Sequence, residues 1–442
     1  MTAKRTFSNT LYTHDNLYVL SGLNSGLVDL IYLDPPFNSK RMYSAPVGSK
    51  AAGASFKDMW SWKDVDEYYL DTLADQFPTL VKYIASVGAV HSKPMMAYLT
   101  YMAQRIIELY RILKETGSLY LHCDPTASHY LKILLDFIFG KNNFRNEIVW
   151  YYRRWSAESN RFQRMHDVIL FYGKSNETTF NRLSIEPTKG QKTKHQRGYD
   201  RNSVLIDGKR QPQLIVYEKQ KVNEAVKTGK LNLKNFARTV LVEKAGTTMP
   251  DVWEMPIINS QSKERTGYPT QKPLALLHRI VKASSNEGDI VMDPFCGCAT
   301  TCVAAQQLGR NWIGIDIEKQ AVNILVERLT DAQGRLFKDF IATDHVPKRS
   351  DVQEIQPSKS IKQRLYKEQN GKCNACGTKF EIHHLEIDHI IPESRGGGDY
   401  YENYQLLCGS CNKIKGDRPM EYLRLKIETR ERMMKNKIFF GE

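Results

Sequence analysis

The sequence predicts an α/β fold: a sheet with helices packed on its faces. Three observations predict it. Short apolar runs of strand length alternate with stretches of helical period. The alternation fades once, in a basic segment, and then resumes. Several of the strand-like runs close on an aspartate, at residues 34, 124, 293 and 316.

The elements follow in chain order. LVDLIYL, up to Leu33, reads as a buried strand. Pro35 and Pro36 cannot continue it, because they lack N–H donors and fix φ. The chain therefore leaves Asp34 at a strand end with Phe37 close by. From Ala97 to Thr116, Leu99, Met102, Ile106, Leu109 and Leu113 step by three and four, an amphipathic helix that Gly117 would close. Ser118–Asp124 is a strand, His129–Gly140 a helix, and Asn146–Tyr152 and Asp167–Gly173 are two more strands. Between Asn181 and Pro250 the period fades, and fifteen Lys and Arg face six Asp and Glu. That segment is either a solvated irregular insertion or a surface that follows phosphates; the concentration of charge favours the second. Alternation resumes near Tyr268. A helix at Leu274–Ala283 precedes the strand Asp289–Asp293, the loop FCGCATT and a helix through Leu308 capped by Gly309. Strand Asn311–Asp316 and a helix from about Glu318 complete the pattern. The expected divisions are 1–175, a basic insertion at 176–255, 256–343, a polar linker with two prolines at 344–360, and a small domain at 361–442.

The chain of 442 residues is long enough for about three domains at ~150 residues each. Its 41% hydrophobic and 25% charged content are those of an ordinary globular protein. A formal net charge of +14 favours a polyanionic partner, and nucleic acid leads. No run of 18 apolar residues suggests a membrane span, and MTAKRTFSNT has no signal-peptide core, so a cytoplasmic protein without a membrane partner is expected. Four of the eight cysteines form two C-x-x-C pairs, Cys373/Cys376 and Cys408/Cys411. In a reducing compartment such pairs point to metal, and two thiolate hooks complete a tetrahedral zinc site. Structural zinc suits a domain of about 80 residues with a small core.

Strand, DPFCGCATT, helix is a phosphate-loop-like arrangement without the lysine. Gly297 lets a ligand approach the backbone, and the following helix offers free N–H groups. Asp316 ends the next strand, where an acidic residue can bond ribose hydroxyls. Asp293 could equally be a helix cap, and Asp316 a solvated loop residue.

Together, DPPF at 34–37, YPTQKP at 268–273 and DPFCGCATT at 293–301 resemble the amino-group DNA methyltransferases, which use S-adenosylmethionine to methylate adenine N6 or cytosine N4. DPPF first, a basic region next and the cofactor loop last is the family's permuted β-type order. GSLYLHCD and the segment Phe139–Ile148 also look like its sheet region. The resemblance implies a Rossmann-like, seven-stranded, mostly parallel sheet of the class I methyltransferases. It implies that Asp293, Phe295, Gly297 and Thr300 line the cofactor's methionine end, that Asp316 takes the ribose, and that Lys272 lies close by. The family's second loop glycine is Ala299 here, and alanine does not easily adopt φ > 0.

An exocyclic amine is a poor nucleophile because its lone pair is delocalised into the ring. Acceptors for its N–H bonds turn the lone pair towards the methyl donor. By the resemblance Asp34 supplies one acceptor and the Pro35 carbonyl another, with Pro35 and Pro36 stiffening the corner. The same resemblance has Phe37 stack on a base flipped out of double-stranded DNA. Asp before the two prolines favours adenine N6 over cytosine N4, and no Pro-Cys dipeptide exists for C5 chemistry.

The tail, with LEIDHIIPESRGGG and ENYQLLCGSCNKIKGD, resembles the HNH endonucleases and their ββα-metal hairpin. That resemblance makes His389 the general base, Asp388 and Asn412 the ligands of a divalent ion such as Mg²⁺, and Asn403 the residue that orients the His389 loop. The reading is a bifunctional restriction–modification enzyme; one HNH centre cuts one strand, so a homodimer or two nicks would sever a duplex. The rivals are an HNH fold that only binds DNA, a non-enzymatic nucleic-acid binder and an RNA methyltransferase.

Overall fold

The protein's structure, a computed structural model, describes residues 9–37, 41–46, 48–52, 55–58, 60–61, 65, 73, 76–154, 160, 162–186, 189–242, 247–318, 320–333, 340–352, 354–393, 397–418, 420, 422–424 and 426–427. Residues Asn181–Pro250 form one compact unit and the rest of the described chain another.

The larger unit is built on a nine-stranded sheet. Across it the strands are Val252–Glu254, Phe144–Tyr151, His166–Gly173, Leu113–Cys123, Val28–Leu33, Ile290–Asp293, Asn311–Asp316, Thr10–Thr13 and Ile341–Thr343. All neighbours are parallel except at His166–Gly173, which runs antiparallel to both of its partners. The seven inner strands are the mostly parallel sheet that the sequence implies. The two outer strands, of three residues each, extend it.

Helices cover both faces. Ile31, Leu33, Leu119 and Leu121 point into one large core with Leu99, Met102, Ile106 and Leu109 of helix Lys93–Ile112 and Leu131, Leu134 and Leu135 of helix Ser128–Phe139. Strand side chains alternate, so Tyr120 points to the other face. There its hydroxyl bonds Ser284 Oγ of helix Leu274–Ser284 at 2.7 Å.

The first long helix ends sooner than its period suggests. It stops at Ile112, and Leu113 is already extended and paired with Val28. Gly117 is therefore inside a strand and not a helix cap. A Cβ at Gly117 would lie 2.6 Å from Leu113 Cδ1, so glycine is what lets the bulged strand close over that buried leucine.

Residues Asn181–Pro250 are not irregular. Strands Tyr199–Ile206 and Lys209–Val216 form an antiparallel hairpin, joined by Asp207 and Gly208, both at positive φ. Strand Arg238–Leu241 adds in parallel, and Leu214, Val216, Val222, Ala225 and Leu231 make a small core. With so few core positions the hydrophobic period was too weak to read from the sequence.

In the tail, antiparallel strands Leu385–His389 and Tyr404–Cys408 are followed by helix Gly409–Lys415, a ββα unit. The linker is pinned to the turn before Val28. Ser350 N–H donates to Asn24 Oδ1 at 2.8 Å, and Ser25 N–H donates to Asp351 Oδ2 at 2.9 Å.

Candidate active sites

Strand order brings two distant motifs together. Ile31 pairs with Met292, so the ends of Val28–Leu33 and Ile290–Asp293 lie side by side. A cavity of about 410 Å³ opens beyond them, at the carboxyl ends of the parallel strands, where α/β sheets bind ligands. Asp34, Pro35, Pro36, Phe37, Lys272, Asp293, Phe295, Gly297, Thr300 and Asp316 all line it.

Asp34 carries an asymmetric carboxylate. Its Oδ2 accepts a short hydrogen bond from Lys272 Nζ. Its Oδ1 is buried with no hydrogen-bond partner among the described residues. Buried acceptors are normally satisfied, so an orphan in a cavity marks a place for a donor. Lys272 Nζ also lies 5.3 Å from the Phe37 ring centre. The sequence grouped Lys272 with the cofactor residues; the structure bonds it to the proline corner.

Four residues that sequence reasoning missed, His122, Tyr32, Asp167 and Tyr152, support that corner. His122, fully buried, stacks on Phe37 with ring centres 5.9 Å apart. Its Nδ1 is 2.8 Å from the Tyr32 hydroxyl and its Nε2 is 3.3 Å from Asp167 Oδ2. The Tyr152 hydroxyl donates to the other Asp167 oxygen at 3.0 Å. These residues come from neighbouring strands, so the arrangement is visible only once the sheet order is known. Trp60 of the WSW stretch also lines the cavity, 4.2 Å from the Tyr101 ring centre; Trp62 lies outside the described residues.

The loop after Asp293 is held from beneath. Asp293 accepts from Phe295 N–H at 3.1 Å and from the Thr301 hydroxyl. Asn16 Nδ2 donates to Pro294 O at 2.8 Å, and the buried Arg105 in turn bonds Asn16 Oδ1. Gly297 sits at φ 49°, and a Cβ there would meet Tyr268 Cε1 at 2.9 Å. Gly297 N–H and Glu318 N–H donate to the two oxygens of Asp316 at 2.7 and 2.8 Å. The Thr300 hydroxyl is taken by Arg328 at 2.8 Å, which also holds Cys298 O. Ala299 does adopt the left-handed conformation, φ 56° and ψ 33°, at the start of helix Thr300–Gln307. Burial pushes the Asp293 carboxyl up to about 7 and that of Asp316 up to about 6.

In the tail, the Sγ atoms of Cys373, Cys376, Cys408 and Cys411 all lie within 4.8 Å of one another. Four soft thiols from two hooks on a small core form a donor set suited to zinc. Asn403 ties down the loop after His389: it accepts from Ile391 N–H at 2.9 Å and donates to Ile391 O and Gly398 O. His389 Nε2 meets Asp399 Oδ1 at 2.8 Å, and that bond holds the Asp399 carboxyl below its ordinary value. Donor atoms of His389, Glu393 and Asp399 lie within 4.8 Å of one another.

Asp388 and Asn412 lie on the strand–helix face of the hairpin, but each has another partner. Asp388 accepts from Gln405 Nε2 at 2.8 Å and from the buried Lys415 Nζ at 3.2 Å, while Asn412 donates to Glu386 at 2.6 Å. Glu386, Asp399, Gln405 and Lys415 were not singled out from the sequence.

The mostly parallel sheet, with the proline corner and the glycine loop facing one cavity, defines a Rossmann-like α/β fold whose strand-end site joins residues 34–37 to residues 293–316. A family model described as DNA methylase, that of the N6/N4 methyltransferases, matches residues 28–327, so the chain belongs to this family. A second, described as HNH endonuclease, matches residues 373–418. The chain is 29% identical over 373 residues to the type II methyltransferase M.EcaI of Enterobacter cloacae, 76% of this chain and 72% of that one. It is 31% identical over 252 residues to the type II methyltransferase M.HpaI of Haemophilus parainfluenzae, 57% of this chain and 64% of that one. It is 26% identical over 357 residues to the DNA adenine methyltransferase YhdJ of Escherichia coli (strain K12), 79% and 94% of the two chains. Among the described residues no helix is long and apolar enough to cross a membrane.

Proposed function

We propose that the chain methylates adenine N6 in double-stranded DNA and that its tail cuts DNA in a metal-dependent reaction. The orphaned, buried Asp34 Oδ1 carries the first half of this reading. It can accept one N–H of a flipped base amine, with the Pro35 carbonyl as the second acceptor. Lys272 occupies Oδ2 and so fixes which oxygen faces the base. Phe37, backed by His122, offers a stacking face.

The cavity fits S-adenosylmethionine, which supplies an electrophilic methyl group when bound. The close approach at Gly297 admits it to the backbone, Asp316 accepts from ribose hydroxyls, and Asp293 and Phe295 border the methionine end. Asp in the first motif position favours adenine; cytosine N4 is the second reading. The basic unit at 181–250 supplies phosphate contacts, which position DNA without reading its sequence. In the tail, His389 would take a proton from water while Asn403 holds its loop, and the Asn412 Oδ1 together with Asp388, on release from Lys415 or Gln405, would supply oxygen donors for a divalent ion. A DNA enzyme of this kind works in the cytoplasm, and cutting both strands calls for a homodimer or two successive nicks.

Sequencing with modified-base detection, in cells expressing the chain or its Asp34→Ala form, tests the methylation reading. N6-methyladenine at one motif, lost in Asp34→Ala, is expected. N4-methylcytosine at that motif would reject the adenine assignment, and an unchanged mark would reject Asp34. For the tail, plasmid cutting with Mg²⁺ that persists in His389→Ala would reject the nuclease assignment.

A further inference from the structure

The geometry points to Asp399 as a positioning residue that holds the His389 imidazole in one tautomer, and to the linker residues Ile355 and Gln356 as what holds Asp399. The inference rests on the nuclease reading of the tail. A carboxylate only accepts, so the 2.8 Å contact puts the proton on His389 Nε2 and leaves the lone pair on Nδ1. Nδ1 is then the atom that takes a proton from water, and its direction is set by whatever anchors Nε2.

The anchor is fixed from several sides. Gln356 Nε2 donates to Asp399 Oδ2 at 2.9 Å. Ile355 N–H donates to the Asp399 backbone carbonyl at 2.7 Å. The Tyr404 hydroxyl lies 2.9 Å from Asp399 Oδ1 and 2.8 Å from Ile355 O, and it can donate to either. The loop from His389 to Asp399 is itself closed by Asn403, and Gly397 allows that closure, since a Cβ there would meet Ile391 O at 1.7 Å. The same linker is tied at Ser350 and Asp351 to Asn24 and Ser25, one turn before the strand that delivers Asp34. The segment joining the two enzymes is thus part of the scaffold around the nuclease histidine. A substitution in it should alter cutting although it touches neither DNA nor metal.

The test uses the full chain, unmethylated plasmid and Mg²⁺. Asp399→Ala is expected to lower kcat for cutting by about 100-fold, the order of a general base's contribution, with KM for DNA within about twofold. Gln356→Ala, which leaves the hairpin intact, is expected to lower kcat by roughly 3-fold to 10-fold. Methyl transfer and zinc content stay at wild-type levels in both. In ¹⁵N-histidine spectra the resonance that vanishes in His389→Ala should show the Nε2–H pattern in the wild type and a tautomer mixture in Asp399→Ala. Undiminished kcat in Asp399→Ala would overturn the inference, and so would an Nδ1–H pattern in the wild type, the latter whether or not the chain cuts. A wild-type chain that shows the Nε2–H pattern and cuts nothing would sink the nuclease reading and keep the positioning. A defect in Glu393→Ala equal to that of Asp399→Ala, with both repaired by excess Mn²⁺, would also overturn it, by making the three side chains metal ligands.

Discussion

Replacing Lys272 with methionine separates two roles for this lysine. The sequence motif groups it with the expected cofactor residues; its bond to Asp34 Oδ2 ties it instead to the proline corner, the acceptor site of the proposed reaction. Its side chain is 8% exposed and that of Asp34 16%, so solvent screens the pair little. A hydrogen bond to a charged group contributes about 1.5–3 kcal/mol. If that bond holds Asp34 in its reactive orientation, Lys272→Met should slow methyl transfer by roughly 10-fold to 150-fold, at 1.36 kcal/mol per decade. Cofactor affinity should change by less than about threefold, because no carboxylate on the Asp316 side is touched. Single-turnover transfer of labelled methyl to duplex DNA gives the rate, and calorimetry gives the Kd for S-adenosylmethionine. A Kd raised 10-fold or more with an unchanged single-turnover rate would refute the reasoning and return Lys272 to the cofactor.

Three further outcomes are expected. Burial raises Asp293 to about 7 and Asp316 to about 6, above their unfolded values, so the stability these groups contribute is fully present below about pH 4 and is lost as pH rises through 6 to 7. Thermal scans of the wild type relative to Asp293→Asn should therefore show the wild type losing ground between about pH 4 and 7 and levelling off above, while affinity for the cationic cofactor moves the other way and weakens as pH falls below about 7; a flat difference would remove Asp293 as the titrating group. Chelation of zinc, or Cys376→Ser, should unfold the tail and abolish cutting, since structural zinc contributes roughly 10 kcal/mol in small domains, yet leave methyl transfer intact; retained tail structure by hydrogen exchange in metal-free protein would count against the site. Ala299→Gly relieves about 1–2 kcal/mol of left-handed strain but loses a buried methyl worth about 0.8 and gains unfolded-state freedom of about 0.4–1, so Tm should move by less than about 3 °C, whereas Ala299→Val should lower it by more; calorimetry reads both.

What could be read from the sequence was local, and what could not depended on strand order. Asp34 at a strand end, Gly297 in a tight loop and Asp316 on the following strand each follow from nearby residues, and the cavity receives all three. The four cysteines likewise follow from spacing. His122 gives no such signal. It lies in an apolar run, and its meaning comes from Tyr32 and Asp167 on the strands to either side. Asp399 is similar: ten residues beyond His389 in a glycine-rich loop, it becomes relevant only when Asn403 folds that loop back. Ala299 is an intermediate case, since the sequence shows the conflict and the structure shows that the backbone keeps the left-handed turn anyway. The loop is overdetermined there, by Asp316 on Gly297 and by Arg328 on Cys298 and Thr300.

The pairing of Val28–Leu33 with Ile290–Asp293 also accounts for the order of motifs along the chain. Parallel neighbours need a crossover, and any length of chain can be placed in it without moving the two strand ends apart. Asp34 and Asp293 stay adjacent whether the intervening sequence is a short helix or, as here, the 258 residues between them, which include a separately packed basic unit. The constraint falls on the sheet register alone. A one-residue slip between Ile31 and Met292 would turn Asp34 to the opposite face, away from Lys272 and out of the cavity that it now lines. Substitutions that weaken that pairing, such as Ile31→Gly, should therefore abolish methyl transfer before they unfold the sheet. Loss of activity that only tracks loss of thermal stability would refute this.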